Sequence, residues 1–328
     1  MKNMNFGKCH WFVALAVLLG VCGLFFAATA TAAEPFPSKE IELIVNFGPG
    51  GSTDLMARVV GNKMSKILGV PVVVINKPGG GGAIASNYVA SKADGYTIGT
   101  AGASNLGTLL ATSAKVPYTL NEFSAVGRIY NMPVVLVTKK GRYNDFASLI
   151  NAAKQKPGSI TFASWGAKST SHILGELINK VTGVKMKHLA FDGGAKTMVA
   201  ALGGHVDVAL CASSTALGNL KAGSLTALAT ASPNRLATLP DVPTLKELGY
   251  GDATFESYDG LMASSKVPKD RLKILNDAVG KSMDQETNDA LVKAGLVPSY
   301  MNGPEYDVFL AKNLDLLRQV AVSAGIVD

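Results

Sequence analysis

The chain has 328 residues, a formal net charge of +7 at pH 7 and only three cysteines. Its basic residues are scattered rather than clustered, which gives no footprint for nucleic acid and only mildly favours anionic ligands. Cys9 and Cys22 lie in the first 33 residues, so Cys211 stands alone in the rest of the chain. No intramolecular disulfide is therefore expected after those residues are removed.

The first 33 residues are typical of a secretory signal peptide. Lys2 and Lys8 precede an apolar run over residues 11–26, and Ala-Thr-Ala at 30–32 offers a cleavage site. An uncleaved anchor is the alternative, but the run is shorter than the ~20 residues that a spanning helix needs. Removal of this segment leaves 295 residues with a net charge of +5. That length suits two domains.

From Ile41 onward, apolar strand-like runs alternate with amphipathic helical stretches, the pattern of a mostly parallel sheet covered by helices. A first series runs from IELIVNF to YTIGTAG, and a second series, interpreted as another domain, runs from MPVVLVTK to SLTALATA. FESYDGLMAS then returns as a strand. Helical stretches at 268–283 and 285–294, the strand LVPSYMN and a final helix from 304 complete the prediction.

Glycine and hydroxyl residues gather at three predicted strand-to-helix junctions. These are GPGGSTD (48–54), SWGAKSTS (164–171) and FDGGAKT (191–197). A helix start presents unpaired backbone N–H groups and the positive end of its dipole, and glycine lets an anion approach them closely. If the junctions converge on one cleft, they form a cage of donors for a phosphate or a carboxylate. Ordinary helix caps are the alternative for each junction.

The sequence offers little catalytic chemistry. It contains no G-x-S-x-G, G-x-x-x-x-G-K-[ST], H-E-x-x-H or C-x-x-C motif. His172, His188 and His205 are too far apart for a local metal motif, although distant ligands could still meet in space. Gly80-x-Gly82-x-x-Ala85 fits a relaxed dinucleotide fingerprint, but no acidic residue follows about 20 positions later to hold a ribose. We therefore predict no cofactor, no metal and no enzymatic activity, and a periplasmic enzyme is kept as a rival.

Six motifs in order resemble those of the tripartite tricarboxylate transporter substrate-binding proteins, the Bug or TctC-like family. They are GPGGSTD, PVVVINKPGGGG, ADGYT (93–97), SWGAKSTSHILGEL, GGHVD (203–207) and LPDVPT (239–244). Each motif is weak alone, and the ordered set is specific. The resemblance covers essentially the whole chain after the signal peptide.

The resemblance implies an α/β protein with the type II periplasmic-binding-protein fold. Two α/β domains would be joined by two crossing strands, near 129–134 and 254–261, with a ligand cleft between them. The expected organisation is a signal peptide at 1–33, domain 1 at 34–132 plus 258–328, and domain 2 at 133–257.

The resemblance also implies a function. The protein would be a periplasmic, monomeric receptor that captures a small organic carboxylate and delivers it to a membrane permease of one large and one small subunit. Backbone N–H groups, hydroxyls and water would hold the ligand. The implied ligand-binding residues are Gly50, Gly51, Ser52, Thr53, Asp54, Ala101, Ser104, Ser164, Ser169, Thr170, Phe191, Gly193 and Asp207.

Three residues depart from the family pattern. Asn46 and Gly48 stand where prolines are common, and Phe191 stands where a tyrosine is common. The lost tyrosine hydroxyl is compatible with a less polar or aromatic carboxylate. A ligand-sensing receptor that reports to a membrane kinase is the alternative function, because its docking surface would lie outside these motifs.

Overall fold

The computed structural model describes residues 35–113, 115–254, 256–323 and 325–326. The predicted signal peptide lies outside them. Residues 39–328 form one compact unit, and the described residues 35–38 belong to a separate one. Among the helices that the structure describes, none combines the length and the apolar character needed to cross a bilayer.

Ten strands are present in the described part of the chain. They are β1 (Ile41–Val45), β2 (Val72–Asn76), β3 (Thr97–Gly102), β4 (Phe123–Lys139), β5 (Thr161–Ser164), β6 (Lys187–Ala190), β7 (Val208–Ala212), β8 (Leu225–Thr230), β9 (Glu256–Ser264) and β10 (Val297–Asn302). Pairing follows the order β2-β1-β3-β9-β4-β7-β5-β6, and β8 and β10 also pair with β4.

Helices follow most strands, as the alternating sequence pattern predicts. They are α1 (Ser52–Leu68), α2 (Ala83–Ala90), α3 (Leu109–Thr112), α4 (Phe146–Gln155), α5 (Thr170–Thr182), α6 (Gly194–Gly203), α7 (Ser213–Lys221), α8 (Lys269–Ser282), α9 (Gln285–Lys293) and α10 (Gly303–Ser323). A π-helical turn, Ala103–Thr108, precedes α3. Gly69, Gly183 and Gly204 end α1, α5 and α6 in the left-handed conformation that favours glycine.

Strand β4 belongs to two halves of the molecule. Its residues from Phe123 to Pro133 pair with β9, whereas those from Val134 to Lys139 pair with β7 and β8. We call the part built on β1, β2, β3, β9 and β10 the first lobe, and the part built on β5, β6, β7 and β8 the second lobe. β4 and β9 lie where the crossing strands are predicted. The domain boundaries at 132/133 and 257/258 stay a prediction.

Each lobe has its own apolar core. Ile44, Tyr258 and Tyr306 belong to a buried cluster in the first lobe. Val135 and Cys211 belong to a buried cluster in the second. Burial raises the pKa of the Cys211 thiol to about 12, so this cysteine acts as a core side chain rather than a nucleophile.

One glycine of the second lobe is required by packing. Gly175 lies on α5 against Phe162 of β5, and a Cβ atom at Gly175 would overlap the phenyl ring. We expect Gly175→Ala to lower the free energy of unfolding by about 1–3 kcal/mol, because the close-packed core must shift. Urea denaturation measures this.

Gly218→Ala is the matched control. Gly218 is an exposed residue inside α7 with no atom within 4 Å of a built Cβ. Alanine there should stabilise the protein by roughly 0.5–1 kcal/mol through helix propensity. A Gly175→Ala protein as stable as the wild type would contradict the packing argument.

Candidate functional site

Helix α1 begins without a side-chain cap. Its N-cap residue is Gly51, and the first helical hydrogen bond runs from the Leu55 N–H to the Gly51 carbonyl at 3.0 Å. No acceptor in the described part of the chain takes a hydrogen bond from the backbone N–H of Ser52 or Thr53. The positive end of the α1 dipole is therefore open to an anion.

Helix α6 begins opposite α1, also without a side-chain cap. Its N-cap residue, Gly193, has φ of 118°, a conformation that L side chains rarely adopt. A Cβ atom built on Gly51 would lie 3.7 Å from the backbone nitrogen of Gly194. Two helix starts, one from each lobe, thus face each other at close range.

A small cavity lies between these helix starts. Its lining residues are Phe47, Gly51, Ser52, Thr53, Met132, Trp165, Gly194 and Ala212. None of them carries a charge, and Phe47, Met132 and Trp165 supply apolar walls. An anion in this cavity would be held by backbone N–H groups and helix dipoles rather than by a cationic side chain.

The two lobes touch beside the cavity through glycine backbone. The Gly48 N–H donates to the Asp192 carbonyl at 3.2 Å, and a Cβ at Gly48 would lie 2.7 Å from that oxygen. A Cβ at Gly81 would lie 2.6 Å from the Ala167 carbonyl oxygen. Glycine at position 48 therefore permits this closed arrangement.

Several hydroxyls predicted to bind ligand form contacts between or within the lobes. Ser104 Oγ accepts from the Trp165 indole N–H at 3.2 Å and from the Thr170 N–H at 3.3 Å. Thr170 Oγ1 lies 3.3 Å from Ser257 Oγ. Ser169 caps α5 within its own lobe. Ser104, Ser169 and Thr170 do not line the cavity.

Asp54 holds the glycine loop rather than facing the cavity. Its carboxylate accepts from the Gly50 N–H at 2.9 Å, and the Arg58 guanidinium and the Asn76 amide take its remaining positions. Burial alone would raise the pKa of Asp54, but these donors hold the pKa below its ordinary value. The charge is therefore neutralised away from any bound anion.

Asp207 is engaged inside the second lobe. Its carboxylate accepts from the Thr161 N–H at 2.8 Å and hydroxyl at 2.7 Å, and it pairs with the Arg142 guanidinium. Burial opposes ionisation, yet these partners lower the pKa of Asp207. The structure does not bring this residue to the cavity.

Three further predicted residues lie around the cavity rather than in its wall. Ala101 is fully buried in β3, and its carbonyl accepts from the Tyr306 hydroxyl at 2.6 Å. Ser164 Oγ lies 2.6 Å from His188 Nε2. Phe191 lines a neighbouring cavity that shares Phe47 and Trp165 with the first.

The predicted junctions therefore contribute unequally. Junction 48–54 provides Gly51, Ser52 and Thr53, and junction 191–197 provides Gly193 as cap and Gly194 as lining. Junction 164–171 provides only Trp165.

The sequence reasoning missed Phe47, Met132, Trp165, Ala212 and the α7 start. Ala212 lines the cavity and precedes Ser213-Ser214-Thr215, a fourth strand-to-helix junction with hydroxyls but without glycine. The buried Thr215 hydroxyl has no partner in the described structure. The signal in the sequence was the hydroxyl residues at 213–215, which lack the accompanying glycine of the other junctions.

No cluster of three or more His, Cys, Asp or Glu side chains that could hold a metal occurs among the residues described. His172 and His188 stack with ring centroids 3.6 Å apart. Burial lowers the pKa of each to about 4, with the His188 and Lys168 charges contributing for His172. Both imidazoles are therefore neutral at pH 7.

The model of the tripartite tricarboxylate transporter family receptor matches residues 56–324. The chain belongs to this family. It is 32% identical over 317 residues to protein BugT of Bordetella pertussis, covering 94% of this chain and 97% of BugT. The family model begins to match at residue 56, just after the first glycine loop at 48–54. The motif resemblance described above includes that loop as well.

Solved structures of relatives share the fold. The periplasmic binding protein BugD has a TM-score of 0.84 at 26% identity, covering 89% of this chain and 99% of BugD. MatC of Rhodopseudomonas palustris with bound malate has a TM-score of 0.81 at 26% identity, covering 87% of this chain and 99% of MatC. R. palustris Rpa4515 with adipate has a TM-score of 0.84 at 26% identity, covering 89% of this chain and 99% of Rpa4515. The predicted type II periplasmic-binding-protein fold is confirmed.

The contacts of Asp207 yield a pH-dependent expectation. A carboxylate with a lowered native pKa stabilises the fold above its ordinary pKa, and this contribution is lost as pH falls through the native value. We expect Asp207→Asn to lower the unfolding free energy at neutral pH by about 1–3 kcal/mol. The difference from wild type should shrink in acid, below about pH 4.

Asp192→Asn is the control for this measurement by urea denaturation. Asp192 forms an exposed pair with Lys196, and such pairs contribute little. If Asp207→Asn leaves stability unchanged at neutral pH, its carboxylate does not hold the lobe together.

Proposed function

We propose that the protein is a periplasmic receptor that closes its two lobes around a small organic carboxylate. The observation that supports this is the pair of uncapped helix starts, α1 and α6, facing one cavity without a charged lining side chain. Their N–H groups and dipoles suit a carboxylate, which can accept several hydrogen bonds at once.

The cavity wall favours a ligand with an apolar portion. Phe47, Met132 and Trp165 can pack against aliphatic carbons beyond the carboxylate. The malate and adipate bound to similar proteins have this chemistry and supply the first ligands to test.

We assign two roles to the residues predicted for the site. Gly51, Ser52 and Thr53 contact the ligand directly, with Gly193 and Gly194 across the cleft. The others hold the loops or the closed lobes in position. These positioning residues are Gly50, Asp54, Ala101, Ser104, Ser164, Ser169, Thr170, Phe191 and Asp207.

The receptor's output is proposed to be delivery rather than chemistry. The mature monomer, exported by its signal peptide, would present the ligand to a permease of one large and one small subunit, and no bond would be made or broken. Domain 1 would comprise 34–132 and 258–328, and domain 2 would comprise 133–257. Receptor-dependent uptake of labelled ligand into cells carrying those subunits tests delivery separately from binding.

Binding should depend on the open space in front of the α6 start. In Gly51→Val, the side chain would enter the cavity beside the Gly194 nitrogen. We expect that variant to lose malate and adipate binding in isothermal titration calorimetry. In the wild type, a ligand at 100 times its Kd should stabilise the native state by about 2.7 kcal/mol.

Gly251→Val is the matched control, because Gly251 is exposed and a built Cβ has no atom closer than 3.8 Å. It should bind like the wild type. Dimethyl adipate, which lacks the anionic groups, should not bind. Tight binding of the diester, or retained acid binding by a folded Gly51→Val protein, would count against the anion cage.

A further inference from the structure

A buried carboxyl group lies directly behind the cavity wall. Asp259 is on β9, its side chain is 2% exposed, and Thr53, which lines the cavity, donates its hydroxyl hydrogen to Asp259 Oδ2 at 2.7 Å. The Gly260 N–H donates to Asp259 Oδ1 at 3.0 Å. Asp259 is thus hydrogen-bonded to a residue that lines the cavity.

The titratable groups around Asp259 are tyrosines. In strand register, Asp259 pairs with Gly102 of β3 on one side and with Tyr130 of β4 on the other. Tyr258 precedes it on β9, and Tyr306 of α10 is close enough for the charge of Asp259 to raise the pKa of its hydroxyl. Burial raises the pKa of each tyrosine above its ordinary value, so all three are neutral through the physiological range.

The nearby charged groups are directed elsewhere. Arg128 of β4 donates from Nε to the Ser299 carbonyl at 3.0 Å. From α1, Asp54 is paired with Arg58. Among the described residues, no lysine or arginine pairs with Asp259, and burial raises its pKa to about 7 against two hydrogen bonds that favour ionisation. Both protonation states are therefore accessible near neutral pH.

The Thr53 hydroxyl has one hydrogen, so it cannot donate to Asp259 and to a ligand oxygen at the same time. When Asp259 is ionised, that hydrogen points to Asp259 Oδ2, and Thr53 offers a lone pair to the cavity, which opposes an anion. When Asp259 is protonated, its O–H can donate to Thr53 Oγ1. The Thr53 hydrogen is then free to donate to a ligand oxygen.

We propose that Asp259 sets the charge preference of the cavity through Thr53, so that capture of a carboxylate is coupled to uptake of one proton by Asp259. This inference rests on the proposed function. The proton comes from solvent and resides on Asp259 Oδ2. Asp259 donates to Thr53, Thr53 donates to the ligand, and no covalent bond of the ligand changes.

The coupling has a defined sign. A bound anion disfavours ionised Asp259, so the complex holds a proton that the free protein loses as pH rises. Affinity should be level below the free-state pKa of Asp259 and fall by about tenfold per pH unit above it. A merely structural aspartate would leave the affinity profile flat.

The test is calorimetric titration of the full mature protein with adipate from about pH 6.5 to about pH 8.5, where both adipate carboxyls are ionised. We expect the wild-type Kd to rise by about tenfold over the last pH unit. Repeating the titration in phosphate and in Tris, which differ in ionisation enthalpy, should reveal uptake of close to one proton above neutral pH.

Asp259→Asn is the informative variant. The asparagine amide N–H₂ can donate to Thr53 Oγ1 permanently while its carbonyl accepts from Gly260, so the Kd should stay flat near the low-pH wild-type value. Asp307→Asn is the control, because Asp307 is another carboxyl of the first lobe whose pKa is raised by desolvation, but it accepts from the Ala125 N–H. It should follow the wild-type profile.

The outcomes separate the two proposals. Binding of adipate with a flat wild-type profile, with no proton uptake, or with the slope retained in Asp259→Asn overturns the role of Asp259 and leaves the receptor function standing. If neither adipate nor malate binds the wild type even at the lowest pH, both proposals fail. If Asp259→Asn does not fold, the wild-type proton count decides.

Discussion

The cleft depends on two helix ends that are capped by no side chain of the described residues. A helix start carries N–H groups that must find an acceptor, and α1 and α6 direct theirs toward one small space. Side chains at Gly51 or Gly193 would obstruct that approach, which explains why glycine precedes both helices. Gly48 of the first loop also contacts the Asp192 carbonyl, so the loops proposed to bind the ligand also join the two lobes.

Two carboxyl groups close to these helix ends have opposite environments. Asp54 is ionised and neutralised by Arg58, and its hydrogen bond to Gly50 fixes the loop. Asp259 has no cationic partner among the described residues and reaches the cavity only through Thr53. Asp54 can lie near a bound anion because Arg58 cancels its charge. Asp259 can lie near a bound anion only if its carboxyl takes up a proton.

The sequence predicted the elements better than their contacts. Alternating apolar runs indicated the parallel strands, and the glycines at 48–54 marked the α1 start because local patterns govern both. Which hydroxyls remain for a ligand depends on distant partners instead. Ser104 meets Thr170 across 66 positions, and Thr53 meets Asp259 across 206. A single sequence carries no signal for such pairings, so neither contact could be predicted from it.

The absence of a charged residue from the cavity wall makes affinity depend on closure. A helix dipole is screened by water and acts strongly only in a medium of low polarity. Trp165 supplies part of the apolar wall from the second lobe and is tied to Ser104 of the first. When the lobes close, this contact excludes water and strengthens the N–H donors at the same moment. In an open cleft the same donors would face solvent and hold an anion weakly, so ligand release requires only that the lobes separate.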